Sequence, residues 1–118
     1  MRLTPDILAA AYEFLRSTPP FRKWKLPEAD AVEFHISRQV HIAGAHTAYV
    51  RTKEHIVKIS ERNVGLIPTL LYVMAHEMLH VKQREDGTET PNVEHNAEFK
   101  RLGRTICREH GWDPCHFC

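Results

Sequence analysis

Leu70-Leu71-Tyr72-Val73-Met74-Ala75-His76-Glu77-Met78-Leu79-His80-Val81 is the stretch around which this chain is organised. It is an apolar, helix-forming run with His-Glu-x-x-His set inside it. Positions i and i+4 of a helix lie one turn apart on one face, so His76 and His80 can present two imidazoles to a single metal ion. Glu77 follows at the rim of that face, within reach of a water at the ion. Two neutral nitrogen ligands, a carboxylate base and an open coordination position are the parts that zinc-assisted amide cleavage requires. Burying two histidines and a glutamate on one face with no ion to receive them would carry a heavy desolvation cost.

Working outward, the spacing predicts a helix over residues 67–85. It is apolar on most sides through its first three turns, as a helix covered by other elements should be. It turns polar at Lys82-Gln83-Arg84-Glu85-Asp86 and stops at Gly87, a typical C-terminal glycine. Upstream, His55-Ile56-Val57-Lys58-Ile59 reads as a strand. Val32, Phe34 and Ile36 alternate with Glu33, His35 and Ser37 in another, and a third alternating run covers residues 45–51 after the turn at Gly44. The short links favour antiparallel pairing in a small meander with one face on the helices. Thr4-Pro5-Asp6 starts an N-terminal helix over residues 5–17, with Thr4 as cap and Pro5 in the first turn; Pro19-Pro20 ends it. Downstream, Asn92 is read as the cap of a last helix, 93–110. On it His95, Phe99, Leu102 and Ile106 share one stripe and aim His95 inward. The expected class is α+β: three helices on a small, three-stranded, mostly antiparallel sheet.

A catalytic zinc usually takes three protein ligands. His95 is chosen as the third because it shares the inward stripe. Glu98, beside that stripe, is better placed to accept from a ligand imidazole. Glu94 and Glu98 remain alternatives to His95.

At 118 residues the chain is expected to be one domain with one core. A net charge of +1 gives no global field for nucleic acid or an acidic membrane. No apolar run approaches the length of a membrane span, and the first 15 residues, broken by Asp6 and Glu13, do not read as a signal peptide. Three cysteines, all in the last 12 residues, do not make a disulfide framework, so the expected compartment is the cytoplasm. Phe21-Arg22-Lys23-Trp24-Lys25 mixes rings and cations as a nucleic-acid contact would. The favoured reading is a surface segment whose rings dock on the core while the charges stay in water.

His76-Glu77-Met78-Leu79-His80, followed in the next helical segment by His95-Asn96-Ala97-Glu98-Phe99, resembles the SprT-like zinc metallopeptidase domain, the family of the Spartan-type proteases that degrade proteins crosslinked to DNA. Leu26-Pro27 near the first strand and the run from Ile56 to Ser60 are similar as well, and the resemblance covers roughly residues 4–112. It implies a zincin-like fold, one catalytic zinc on His76, His80 and His95, Glu77 as the base that takes a proton from water and passes it to the leaving amine, a protein or peptide substrate, and an association with DNA. The chain also looks like minimal single-domain zincins whose third ligand is glutamate. Tyr49, His46 and Tyr72 are candidate donors to the oxyanion. A peptide substrate could add along an exposed sheet edge. Cys107-x-x-His110 and Cys115-x-x-Cys118 have zinc-like internal spacing and form a candidate second, structural zinc site; free thiols are the plainer reading. A non-catalytic zinc module that recognises protein or DNA is the second functional reading; the intact Glu77 argues against it.

Overall fold

The computed structural model describes residues 1–48 and 54–117. Helix α1 runs Pro5–Arg16, one residue short of the expected end. The Thr4 hydroxyl accepts from the Ile7 amide at 3.1 Å, and Leu8, Ala11, Tyr12 and Leu15 are buried. Tyr12 Oη donates to the Pro27 carbonyl at 2.5 Å, which ties the segment after α1 to the helix. Within that segment Phe21 is buried and Trp24 packs edge-on against it at 5.1 Å, while Arg22 and Lys23 stay exposed. The Lys82 ammonium sits 5.4 Å over the Trp24 ring. The aromatic-basic stretch therefore docks on the core, as favoured.

The sheet has strands β1 (Val32–Ser37), β2 (Gly44–Ala48) and β3 (His55–Ser60) in the order β1-β3-β2. This corrects the meander. β3 is central, pairing antiparallel with β2 (Gly44 opposite Ile59) but parallel with β1 (Val32 opposite His55). The chain leaves β1, passes over to form the edge strand β2, and returns between the two. β2 itself supplies the crossover that a parallel pair needs. Val57 and Ile59 point into the core and Lys58 out, the alternation expected of a strand with one covered face. The expected extension of the second strand to residue 51 lies outside the described residues beyond Ala48.

Helix α2, Ile67–Asp86, lies at the centre, against α1, the last helix, β2 and β3. Pro68 fits in its first turn, and Gly87, at φ 70°, closes it with an amide hydrogen bond to Gln83 O. Its burial is less complete than its apolar sequence suggests: Leu66 and Ile67 at its start are 68% and 62% exposed, beside an exposed Phe14.

Helix α3 runs Ala97–His110 and starts four residues later than expected. Its cap is Asn96, not Asn92. The Asn96 carboxamide oxygen accepts from the Phe99 amide at 2.9 Å, whereas Asn92 sits at φ 62° in a turn. Phe99, Leu102 and Ile106 form the buried stripe as read, but His95 precedes the helix. The class is α+β, with three α-helices and a mixed three-stranded sheet among the described residues. Among the described residues no helix is long and apolar enough to cross a membrane.

Candidate metal centre

His76 and His80 project from one face of α2, and His95 meets them from the loop before α3. One ring nitrogen of each lies within 4.8 Å of the others, the spread expected of ligands around a single ion. Ring centroids are 5.1 Å apart for His76–His80, 4.9 Å for His76–His95 and 5.3 Å for His80–His95. Phe99 floors the group, 4.4 Å from the His95 ring and 4.6 Å from that of His80. An aromatic residue four positions after His95 thus has a packing reason.

His95 reaches the group through Asn96, which does more than cap. The Asn96 Oδ1 also accepts from buried Gln83 Nε2 at 2.9 Å, and its Nδ2 donates to Thr88 O and Thr90 Oγ1 at 2.9 Å each. These bonds join the loop to α2 and fix where His95 arrives.

The donor set fits a metal ion on two independent grounds. The His95 Nε2 is buried with no hydrogen-bond partner, a costly state for a ring nitrogen with no ion to receive it. His80 is held neutral, its pKa lowered to about 3 by burial and by the neighbouring His76, His46 and His95. Burial likewise lowers His76. Neutral imidazole is the ligating form, so at neutral pH protons do not compete for the His76 and His80 rings.

Glu77 is 4% exposed and faces the same cleft. Burial, and then the negative charge of Glu94, push its carboxyl from 4.5 up to about 8. Its side chain lies close against β2. A methyl group added at Gly44 would come within 3.0 Å of Glu77 Oε2 and 2.9 Å of Val73 Cγ1. Glycine at 44 is what lets the strand approach the carboxylate.

The cleft, about 520 Å³, is lined by Gly44, Ala45 and His46 of β2, by His76, Glu77 and His80 of α2, and by the loop around Glu94. A smaller apolar cleft of about 240 Å³ adjoins it on the other side of Glu77, between Ile42, Val73 and Phe117. Glu94 is exposed at the rim and stands outside the ligand group. Glu98 does not support an imidazole as expected. Both of its carboxylate oxygens take hydrogen bonds from Arg101, three residues along α3, at 3.0 and 2.6 Å. The acceptor for a ligand imidazole is instead the Phe117 carbonyl, which accepts from His76 Nδ1.

Of the three candidate oxyanion donors, Tyr49 lies outside the described residues. Tyr72 Oη is turned away to the Asp113 carbonyl at 2.9 Å. His46 lines the cleft, its ring parallel to that of His80 at 6.1 Å. Its Nε2 is 2.7 Å from Nδ1 of fully buried His55, whose Nε2 faces Glu85 at 3.4 Å. One proton is shared along each of the two contacts, which link His46 through His55 to Glu85. Burial, and then His55 and Arg84, lower the His46 pKa to about 3, so its ring is neutral and carries a single N–H. Of Tyr72 and His46, it is His46 that faces the cleft. His55 and Glu85 were missed in the sequence because a histidine at the start of a strand and a glutamate late in a polar helix end carry no local sign of pairing.

Among the described residues Cys107, His110 and Cys115 form no second group able to hold an ion. Cys107 is buried on α3, Cys115 is exposed, and His110 Nε2 lies 3.2 Å from Thr18 Oγ1 with its ring stacked on Trp112. Among the described residues His76, His80 and His95 are the one group able to hold an ion; Cys118 lies outside them. No family model matches the sequence, and no curated protein matches it.

Proposed function

We propose that this chain is a zinc-dependent endopeptidase. The observation that carries the reading is the convergence of three histidine nitrogens, one of them orphaned, in one cleft with a buried glutamate and the edge strand of a sheet. Zinc bound there would supply a Lewis acid for the scissile carbonyl and an acidified water. His76, His80 and His95 would hold it. Imidazole ligands with an open side to the cleft suit zinc better than calcium or magnesium, which prefer oxygen.

Glu77 takes the proton of the attacking water and returns it to the leaving amine. Burial raises its proton affinity in the metal-free chain, and a cation bound beside it would lower that affinity. β2 pairs on one side with β3, and the other side runs along the cleft. An extended peptide adding to that edge would pass its backbone directly in front of Glu77. His46, on the same strand, lines the cleft beside that path.

The test is cleavage of fluorescein-labelled unfolded casein by the zinc-loaded chain and by Glu77→Gln. The wild type should cleave, and the variant should keep zinc and lose about 10²–10⁴-fold in rate. Zinc binding without cleavage in the wild type would instead indicate a non-catalytic zinc module. Repeating the assay with single-stranded DNA reads out the DNA association that the SprT resemblance implies.

A further inference from the structure

Residues 112–117 pack back onto α2, and their contacts end on a metal-ligand candidate. Phe117 is 2% exposed, its ring edge-on to Tyr72 at 5.3 Å and 5.6 Å from the His76 ring. Its carbonyl accepts from His76 Nδ1, a bond between residues 41 positions apart. Four further contacts set the segment's path. Trp112 N donates to Cys107 O at 2.8 Å and its ring meets Tyr72 at 5.3 Å. Tyr72 Oη donates to Asp113 O at 2.9 Å. Asp113 Oδ1 accepts from Cys115 N at 2.9 Å.

A carbonyl oxygen can only accept. The contact therefore places the His76 proton on Nδ1 and leaves Nε2 as the atom free for a metal. Without the segment, His76 would lose both the partner that selects its tautomer and the ring that holds its orientation. We propose that residues 112–117 form a clasp that positions His76 as a ligand, so that docking of the segment and loading of the centre are coupled. The proposal rests on the metal-centre reading above. Phe117 and Tyr72 are positioning residues in this scheme: they act through His76.

Partners that orient a ligand imidazole are worth about 10–100-fold in metal affinity. Coupling between two binding equilibria is reciprocal, so zinc should tighten the segment by the factor that the segment tightens zinc. A partner that drew the segment off α2 would by the same linkage unload the centre.

The experiment measures zinc affinity of the full chain by competition with a chromophoric chelator, for the wild type, Phe117→Ala, Phe117→Leu, Tyr72→Phe and Cys115→Ser. Phe117→Ala should weaken zinc about 10–100-fold. Phe117→Leu, which keeps an apolar anchor, should recover most of that loss, and Tyr72→Phe should fall between. Cys115→Ser, an exposed side chain, should leave affinity unchanged. Nitrogen-15 shifts of His76 in the metal-free wild type should report the Nδ1–H tautomer, and mixed tautomers in Phe117→Ala. Amide hydrogen exchange at Trp112 and Phe117 should slow on adding zinc. If Phe117→Ala fails to fold, the Tyr72→Phe affinity and the wild-type exchange carry the test. Tight zinc in the wild type with equal affinity in the variants, or exchange in the segment indifferent to zinc, would overturn the clasp. A wild type that takes up no zinc would overturn the metal centre itself.

Discussion

Replacing Glu77 by glutamine should abolish cleavage and, in the metal-free protein, increase stability. The carboxyl is 4% exposed, and its pKa is pushed from 4.5 to about 8, first by burial and then by Glu94. Between those two values the native chain holds a proton that the unfolded chain has released. The stability contribution of Glu77 is therefore complete below 4.5 and is lost as the pH rises towards 8. At about 1.4 kcal/mol per pH step, the loss reaches about 3 kcal/mol at pH 7 and about 5 kcal/mol above pH 8. Glutamine has nearly the same shape and no such titration. His46 and His80, both held to about 3, slope the other way, losing stability as the pH falls below 6.5; they do so in both proteins and cancel in the comparison. The assay is urea unfolding of both chelator-treated proteins across that range. The two curves should meet at the acid end and diverge towards pH 8, with glutamine the more stable. A difference that stays flat with pH, or a glutamine variant less stable at pH 7, would refute the reasoning.

Gly44→Ala drives a methyl to 2.9 Å from Val73 Cγ1 and 3.0 Å from both Glu77 Oε2 and the Lys58 carbonyl, and the backbone oxygen cannot yield. It should cost about 1–3 kcal/mol and displace Glu77. Zinc content should hold while kcat/KM drops at least about tenfold, a loss that a shift of about 1 Å in a catalytic group readily produces. Asn96→Ala removes the α3 cap and the partners of Gln83 and Thr88. It should lower stability by about 2 kcal/mol and weaken zinc through His95, read by thermal unfolding and chelator competition. Tyr12→Phe strips the Pro27 carbonyl of its donor far from the cleft. It should cost about 1–2 kcal/mol in urea unfolding and leave cleavage unchanged.

The central helix was legible almost to the residue because both of its ends are written locally, Pro68 at the start and Gly87 at the stop. The pairing of His76 with His80 needs nothing beyond helical spacing. His95 was placed correctly by a mistaken route. The apolar stripe does face the core, but His95 arrives from a loop pinned by Asn96, whose own signal was an asparagine followed by an acid in the first turn at Glu98. The strands were legible from their alternation, but their order was not. Which strand lies between the other two is fixed by packing on α1 and α2, and no residue in β2 announces an edge. The His46–His55–Glu85 chain and the Phe117–His76 bond join residues far apart in sequence, and local pattern carries no trace of such contacts.

The most direct test is zinc per chain by elemental analysis, on protein purified without chelator or added metal. One equivalent in the wild type, absent from a His76→Ala/His80→Ala variant, is the expected result. No zinc and no uptake on adding it, or one equivalent retained by the double variant, would contradict a metal centre on His76, His80 and His95.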